Sequence, residues 1–154
     1  MTGLVGVISD THGLVRAEVV PALQGCELIL HAGDVGSADV LDRLRELAPV
    51  VAVRGNVDRG AWADSLPASE IVEFRGALIY LLHNIDELDL DPVAAELRAV
   101  VYGHSHRPSV QQRGGVLFVN PGSAGPRRFS LPVGVARLRI DAGAIAAELL
   151  ELNV

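Results

Sequence analysis

Short apolar runs that stop abruptly in polar residues recur along this chain. Leu4-Val5-Gly6-Val7-Ile8-Ser9 is nearly continuously apolar, as a strand covered on both faces requires, and it ends at Asp10-Thr11-His12-Gly13. Residues 14–24 then place Val15, Val19, Val20 and Leu23 at helical spacing, and Pro21 is predicted to kink that helix or open its second half. The cycle repeats. Leu28-Ile29-Leu30 runs into His31-Ala32-Gly33-Asp34, after which Ser37 is a cap for a helix with a Val40, Leu41, Leu44, Leu47 stripe that Pro49 ends. A third apolar run, residues 49–53, empties into Arg54-Gly55-Asn56-Val57-Asp58-Arg59-Gly60. Three such units predict parallel strands joined by right-handed crossovers.

After Leu66-Pro67 the pattern changes to hairpins. Residues 69–74 and 77–83 flank Arg75-Gly76, residues 109–113 and 116–119 flank Gly114-Gly115, and residues 132–140 and 144–152 flank Asp141-Ala142-Gly143. Between them lie an acidic loop, residues 84–90, and Asp91-Pro92, a cap and first-turn proline for a short helix through Arg98. Val100-Val101-Tyr102 then runs into Gly103-His104-Ser105-His106. The expectation is an α/β fold: two sheets packed face to face with helices outside, the first sheet mostly parallel and the second more antiparallel. No repeat or linker interrupts the chain, so residues 1–154 read as a single domain.

Chemistry belongs beyond the carboxyl ends of strands in such folds. All five histidines of the chain end a short apolar run, a distribution that surface histidines would not have. Collecting strand-end donors gives Asp10, His12, Asp34, Asn56, His83, His104 and His106, oxygen and nitrogen ligands with no thiolate. That set is too large for one tetrahedral zinc and suits two octahedral-leaning divalent ions. Two ions need a bridging ligand, and Asp34 is the candidate because a carboxylate can face both.

Net charge is −6, no residue is lysine, and the 13 arginines are spread along the chain. This disfavours a general nucleic-acid binder, which draws its affinity from many basic contacts, and aromatic content of 4 % offers little base stacking. A phosphate substrate stays open, since metal ions can supply the positive charge. Cys26 is the only cysteine and is expected to be small buried packing. The start of the chain lacks a charged leader and no apolar run approaches a membrane span of ~20 residues, so the expectation is a cytoplasmic protein without a membrane partner.

With these motifs in order, the chain resembles the calcineurin-like metallophosphoesterases, specifically the small one-domain phosphodiesterases of the YfcE type. The matching segments are Asp10-Thr11-His12, Gly33-Asp34, Gly55-Asn56-Val57-Asp58, His83, Gly103-His104-Ser105-His106 and Asn120-Pro121-Gly122-Ser123. The resemblance implies the four-layer αββα form of the fold. It implies that Asp10, His12, Asp34 and His106 hold one metal and that Asp34, Asn56, His83 and His104 hold a second. Asn56 and His104 are also its catalytic candidates, His104 touching a non-bridging phosphoryl oxygen. The implied cofactors are two divalent ions, Mn²⁺ first, with Ni²⁺, Fe²⁺, Zn²⁺ and Mg²⁺ as alternatives. Two ions ~3.5–4 Å apart lower the pKa of a bridging water toward neutrality, so that hydroxide attacks a small phosphorylated substrate, a phosphodiester above all.

Two positions depart from the family pattern. Val57 stands where many relatives carry a histidine that protonates the leaving group, and Asn84 follows His83 where relatives usually have glycine. Two other functions stay in view: a non-catalytic scaffold like the retromer subunit that shares this fold, which predicts degraded ligands, and a nuclease or cyclic-nucleotide phosphodiesterase. The sequence leaves a homodimer open. His31 and Asp58 read as hydrogen-bond partners that hold ligands in place, and Asn120 to Ser123 as a turn supporting the site. Arg59, Arg107, Arg127 and Arg128 read as surface residues, and Trp62 either walls a substrate groove or covers the core.

Overall fold

The structure, a computed structural model, describes residues 2–154. Ten strands form two five-stranded sheets. The first contains β1 (Gly3–Ile8), β2 (Leu28–His31), β3 (Val50–Ala52), β9 (Gly134–Asp141) and β10 (Ala144–Glu151), in the order β10-β9-β1-β2-β3. The second contains β4 (Ser69–Phe74), β5 (Ala77–Leu82), β6 (Ala99–Val101), β7 (Ser109–Arg113) and β8 (Val116–Asn120), in the order β4-β5-β6-β8-β7. The α/β sandwich read from the sequence is therefore observed.

The apolar runs are continuous because both faces of the inner strands are covered. Val5 and Val7 of β1 face the second sheet and meet Ile79, Leu81, Val101 and Val119 in the core between the sheets. Ile8 and Ile29 face outward and pack under α1 (Val19–Leu23) and α2 (Ala38–Arg45), against Val19, Leu23, Val40 and Leu44. Burying one such side chain contributes about 1.5–3 kcal/mol. Gly6 sits where α1 approaches most closely: a Cβ there would lie 2.9 Å from Leu23 Cδ2 and 3.3 Å from the Cys26 sulfur. Cys26 is buried in that layer, as expected.

Three details differ from the sequence reading. Each sheet is evenly mixed: β1-β2 and β2-β3 are parallel while β1-β9 and β9-β10 are antiparallel, and β5-β6 and β6-β8 are parallel while β4-β5 and β7-β8 are antiparallel. The cause is the C-terminal hairpin, which pairs with β1 and so adds antiparallel strands to the first sheet.

The first helix is shorter than residues 14–24. Gly13 takes φ 85°, Arg16 reaches Gly125 O, and Pro21 stands in the first turn of the helix, where its missing N–H is no loss.

The helix expected over residues 92–98 is only a turn. Asp91 Oδ1 does accept the N–H groups of Val93 (3.0 Å) and Ala94 (3.4 Å), but Glu96 adopts φ 61° and Arg98 N–H pairs with Leu78 O, which pulls the chain into β6. The outer face of the second sheet, with Tyr80, Leu82, Val100, Tyr102 and Phe118, is consequently covered by the loop residues Ile85, Leu88, Leu90 and Leu97. No helix of the described residues is long and apolar enough to cross a membrane.

Candidate metal centre

The strands that run parallel deliver their carboxyl ends to one rim. β1 leads to Asp10 and His12, β2 to Asp34, β3 to Asn56, β5 to His83, and β6 to His104 and His106. Five of these seven residues adopt left-handed backbone: Asp10 (φ 55°), His12 (48°), Asp34 (55°), His104 (72°) and His106 (63°). Such a conformation is unfavourable by roughly 1–2 kcal/mol for a residue with a Cβ. It persists where surrounding bonds enforce it, which is typical of functional sites. Here Asp10 N–H donates to Gly33 O and His12 N–H to Asp34 O, both at 3.0 Å, and His104 N–H donates to Asp10 Oδ2 at 3.1 Å.

The donor atoms converge in two clusters, Asp10 with His12 and His106, and Asp10 with Asp34 and His83; within each, the ligand atoms lie within 4.8 Å of one another. Asp10 Oδ1 lies 3.4 Å from His106 Nε2 and 3.9 Å from His83 Nε2. Asp34 Oδ2 lies 3.3 Å from His83 Nε2 and 3.7 Å from His12 Nε2. Both carboxylates thus stand between the two groups of histidines. His104 Nδ1 comes within 3.3 Å of His83 Nε2. Asn56 and His104 are exposed, at the mouth, whereas Asp10, Asp34, His83 and His106 are buried.

Two buried atoms that face the site, Asp10 Oδ1 and His12 Nε2, have no hydrogen-bond partner among the described residues. Burying polar atoms unpaired is unfavourable, and a hard or borderline cation is the partner that oxygen and imidazole nitrogen would share. The residues present therefore fit divalent metal ions.

The remaining bonds set the protonation states. His83 Nδ1–H donates to Ala32 O at 2.8 Å, which leaves the Nε2 lone pair for the site. Burial alone would lower the His83 pKa, but the neighbouring carboxylates of Asp34 and Asp10 raise it. Burial pushes the two carboxyls up. For Asp34, the adjacent His83 ring and the Val57 N–H outweigh it, and for Asp10, the adjacent His106 ring and the Ser9 hydroxyl do the same, so both are held below the usual carboxylate range. Two anions in so small a volume are suited to cations.

A second ring of residues positions these donors. Asp58 accepts the N–H groups of Val35 (3.2 Å), Gly36 (2.9 Å) and Gly55 (2.9 Å), which ties the Asp34 loop to the Asn56 loop. Asn120 Nδ2 donates to Gly103 O and Ser105 Oγ, both at 3.1 Å, and Ser123 Oγ donates to Asp10 O at 3.0 Å. The Asn120 to Ser123 turn therefore braces both the His104-His106 turn and Asp10. Gly103 must lack a side chain, since a Cβ there would overlap Ser9 Oγ and stand 2.6 Å from Asp10 Oδ2.

His31, completely buried, takes part in a chain whose directions follow from its ends. Gly33 N–H donates to Nδ1 (3.1 Å), so Nε2 carries the proton and donates to Thr11 Oγ1 (2.9 Å), which donates to Val35 O (2.8 Å). Burial lowers the His31 pKa to about 4 and keeps the ring neutral.

Ser9, Thr11 and Arg16 were not singled out from the sequence. Ser9 and Thr11 adjoin Asp10, a signal that was available; Arg16, which donates through Nε (3.3 Å) and Nη2 (3.1 Å) to Gly125 O, had none. Asn84 shapes its loop by accepting Asp86 N–H at 3.0 Å, starting a 3₁₀ turn, Ile85–Glu87. Trp62 packs against the core beneath α1 and α2, so it covers the core.

Comparison with known proteins identifies the family. The calcineurin-like phosphoesterase superfamily domain matches residues 4–143. A protein of Methanothermobacter thermautotrophicus described as a probable metallophosphoesterase is 38 % identical over 159 residues, covering 96 % of this chain and 91 % of its own. Phosphodiesterase YfcE of Escherichia coli K12 is 27 % identical, covering 90 % of this chain and 89 % of its own. The structure of vacuolar protein sorting 29 from Cryptosporidium parvum superposes with TM-score 0.78 at 19 % identity, over 97 % of this chain and 98 % of that one, which shows a shared fold. The strand-end donors and the matched span together make this chain a member of the calcineurin-like phosphoesterase superfamily.

Proposed function

We propose that this chain, as one domain over residues 1–154, is a dinuclear-metal phosphodiesterase. The observation that carries the reading is the pair of donor clusters with two unpartnered buried atoms facing them, Asp10 Oδ1 and His12 Nε2. Asp10, His12, Asp34 and His106 would hold one ion and Asp34, Asn56, His83 and His104 the other, with Asp34 shared. Two divalent cations, Mn²⁺ first, would supply Lewis acidity: they lower the pKa of water and neutralise charge on phosphoryl oxygens.

The chain's own residues do the rest. Asp10 and Asp34 stay ionised, and the hydrogen bond of His83 to Ala32 O fixes which ring nitrogen faces the site. Exposed His104 and Asn56 stand at the mouth, where their N–H groups can orient phosphoryl oxygens of an entering substrate. Val57, exposed beside Asn56, has no proton to give to a leaving group. A scaffold that had lost catalysis would be expected to lose donors, and every donor position here is filled.

The test is Asp34→Asn, assayed for metal by mass spectrometry and for hydrolysis of bis(p-nitrophenyl) phosphate with Mn²⁺, Ni²⁺, Mg²⁺ and Zn²⁺. Loss of both bound metal and hydrolysis is the expected outcome; retained hydrolysis would sink the reading.

A further inference from the structure

The first sheet ends in β10, whose outer edge pairs with no other strand among the described residues. At eight residues it is the longest of the sheet edges: β3 has three, β4 six, and β7 five, starting directly after Pro108. It runs in unbroken register with β9 over its whole length and carries no proline, lysine or bulge, the devices that normally blunt an edge. The two-residue turn Ala142-Gly143, with φ 51° and 83°, makes Asp141 and Ala144 a hydrogen-bonded pair. The even-numbered residues of β10 therefore bond to β9, a series that Leu152 continues by donating to Val133 O at 2.7 Å. Ile145, Ala147 and Leu149 accordingly aim their N–H and C=O groups away from the sheet.

We infer that β10 pairs antiparallel with β10 of a second copy of this chain, joining the two first sheets into one, in the register centred on Ala147. The inference does not depend on the phosphodiesterase reading. A two-fold axis perpendicular to the sheet keeps the core-facing rows of both copies on one side. Ala147 then faces its own counterpart and Ile145 faces the partner's Leu149, each pair exchanging two backbone bonds. Both faces of the edge suit this register. On the core side, Ile145 and Ala147 reach the core between the sheets, whereas Leu149 of the same row is 38 % exposed at a cleft of about 240 Å³ with Pro108, Pro121 and Pro132. The partner's Ile145 would cover it. On the outer side, Arg139 is exposed and forms no ion pair with a described residue. Its neighbour Ala146 is small and leaves a hollow of about 230 Å³ between Arg139 and Glu148. The register places the partner's Glu148 directly across from Ala146, so Arg139 reaches it over the hollow, and symmetry makes the contact twice. Centring the pairing on Glu148 would instead set two carboxylates face to face.

The experiment is sedimentation-velocity ultracentrifugation of the full chain at micromolar concentrations, for wild type, Ala147→Pro and Arg139→Glu, with circular dichroism to check the fold. Ala147→Pro removes the central outward N–H and leaves the bonds to β9 in place, and proline is tolerated at such an edge position. Arg139→Glu changes an exposed side chain without an ion pair of its own, so it keeps the test decisive should Ala147→Pro fail to fold. Wild type is expected to be a dimer, Ala147→Pro a monomer, and Arg139→Glu to raise the dimer dissociation constant about tenfold or more, because like charges then meet across the joint. The register is checked by diamide oxidation. Ala147→Cys should cross-link two copies, since the Cα atoms of a hydrogen-bonded antiparallel pair lie about 5.5 Å apart, within disulfide reach, whereas Ile71→Cys on the edge strand β4 should not. A monomeric wild type, a dimer unmoved by the folded variants, or cross-linking through Ile71→Cys in place of Ala147→Cys would overturn the inference.

Discussion

His31 offers a test of the structure that is independent of catalysis. It is fully buried and neutral, its Nδ1 receiving the Gly33 N–H while Nε2–H donates to Thr11. Its folded pKa of about 4 lies below the ordinary 6.5, chiefly through burial. Between those values the unfolded chain binds a proton that the folded chain does not, so stability rises with pH across the window and is lost as pH falls through it. One pKa unit corresponds to about 1.4 kcal/mol, so the full shift amounts to about 3 kcal/mol, of which about 2 kcal/mol is realised between pH 7 and pH 4.5. The window belongs to His31 alone among the shifted groups. The depressed Asp10 and Asp34 act on stability below the ordinary carboxylate pKa of 3.8, and the raised His83 acts above 6.5.

The assay is urea unfolding of chelator-treated protein, followed by circular dichroism at intervals from pH 7 to pH 4.5, for wild type and His31→Gln. Glutamine can keep a donor toward Thr11 but does not titrate. The variant is expected to be less stable at pH 7 by about 1–3 kcal/mol, because the buried Gly33 N–H loses its acceptor, and to show a much flatter pH dependence. An unchanged slope in His31→Gln would refute the assignment of a buried neutral imidazole.

Two further outcomes follow from the site. Val57→His places a proton donor beside Asn56, and a general acid is worth ~10²–10⁴-fold; hydrolysis of dialkyl esters should rise far more than that of aryl esters, and steady-state assays showing an equal rise would contradict it. Asn120→Ala removes the bonds to Gly103 O and Ser105 Oγ that brace the His104-His106 turn; metal affinity, measured by competition with a chromogenic chelator, should fall about 10–100-fold, and unaltered affinity would show that the turn holds its shape unaided.

What the sequence determined by itself was the placement of chemistry. An apolar run that stops at a glycine, acid or histidine marks a buried strand end, and parallel strands carry their ends to one rim, so Asp10, Asp34, His83 and His106 could be grouped without knowing which strands were neighbours. The hairpins at residues 69–82, 109–120 and 134–151 were equally legible, because alternation and turn residues act over a few positions. Only the tertiary structure decided the rest. The even mixture of each sheet depends on β9 pairing with β1 from the far end of the chain. The lengths of the helices after His12 and after Asp91 were set by Arg16 reaching Gly125 and by Arg98 joining Leu78, contacts that outweigh local propensity. The proton on His31 and the strain at five candidate ligands likewise arise from groups that lie about twenty or more residues apart along the chain. Short-range burial patterns report where a chain must turn; which partners wait at each turn is fixed by packing in three dimensions.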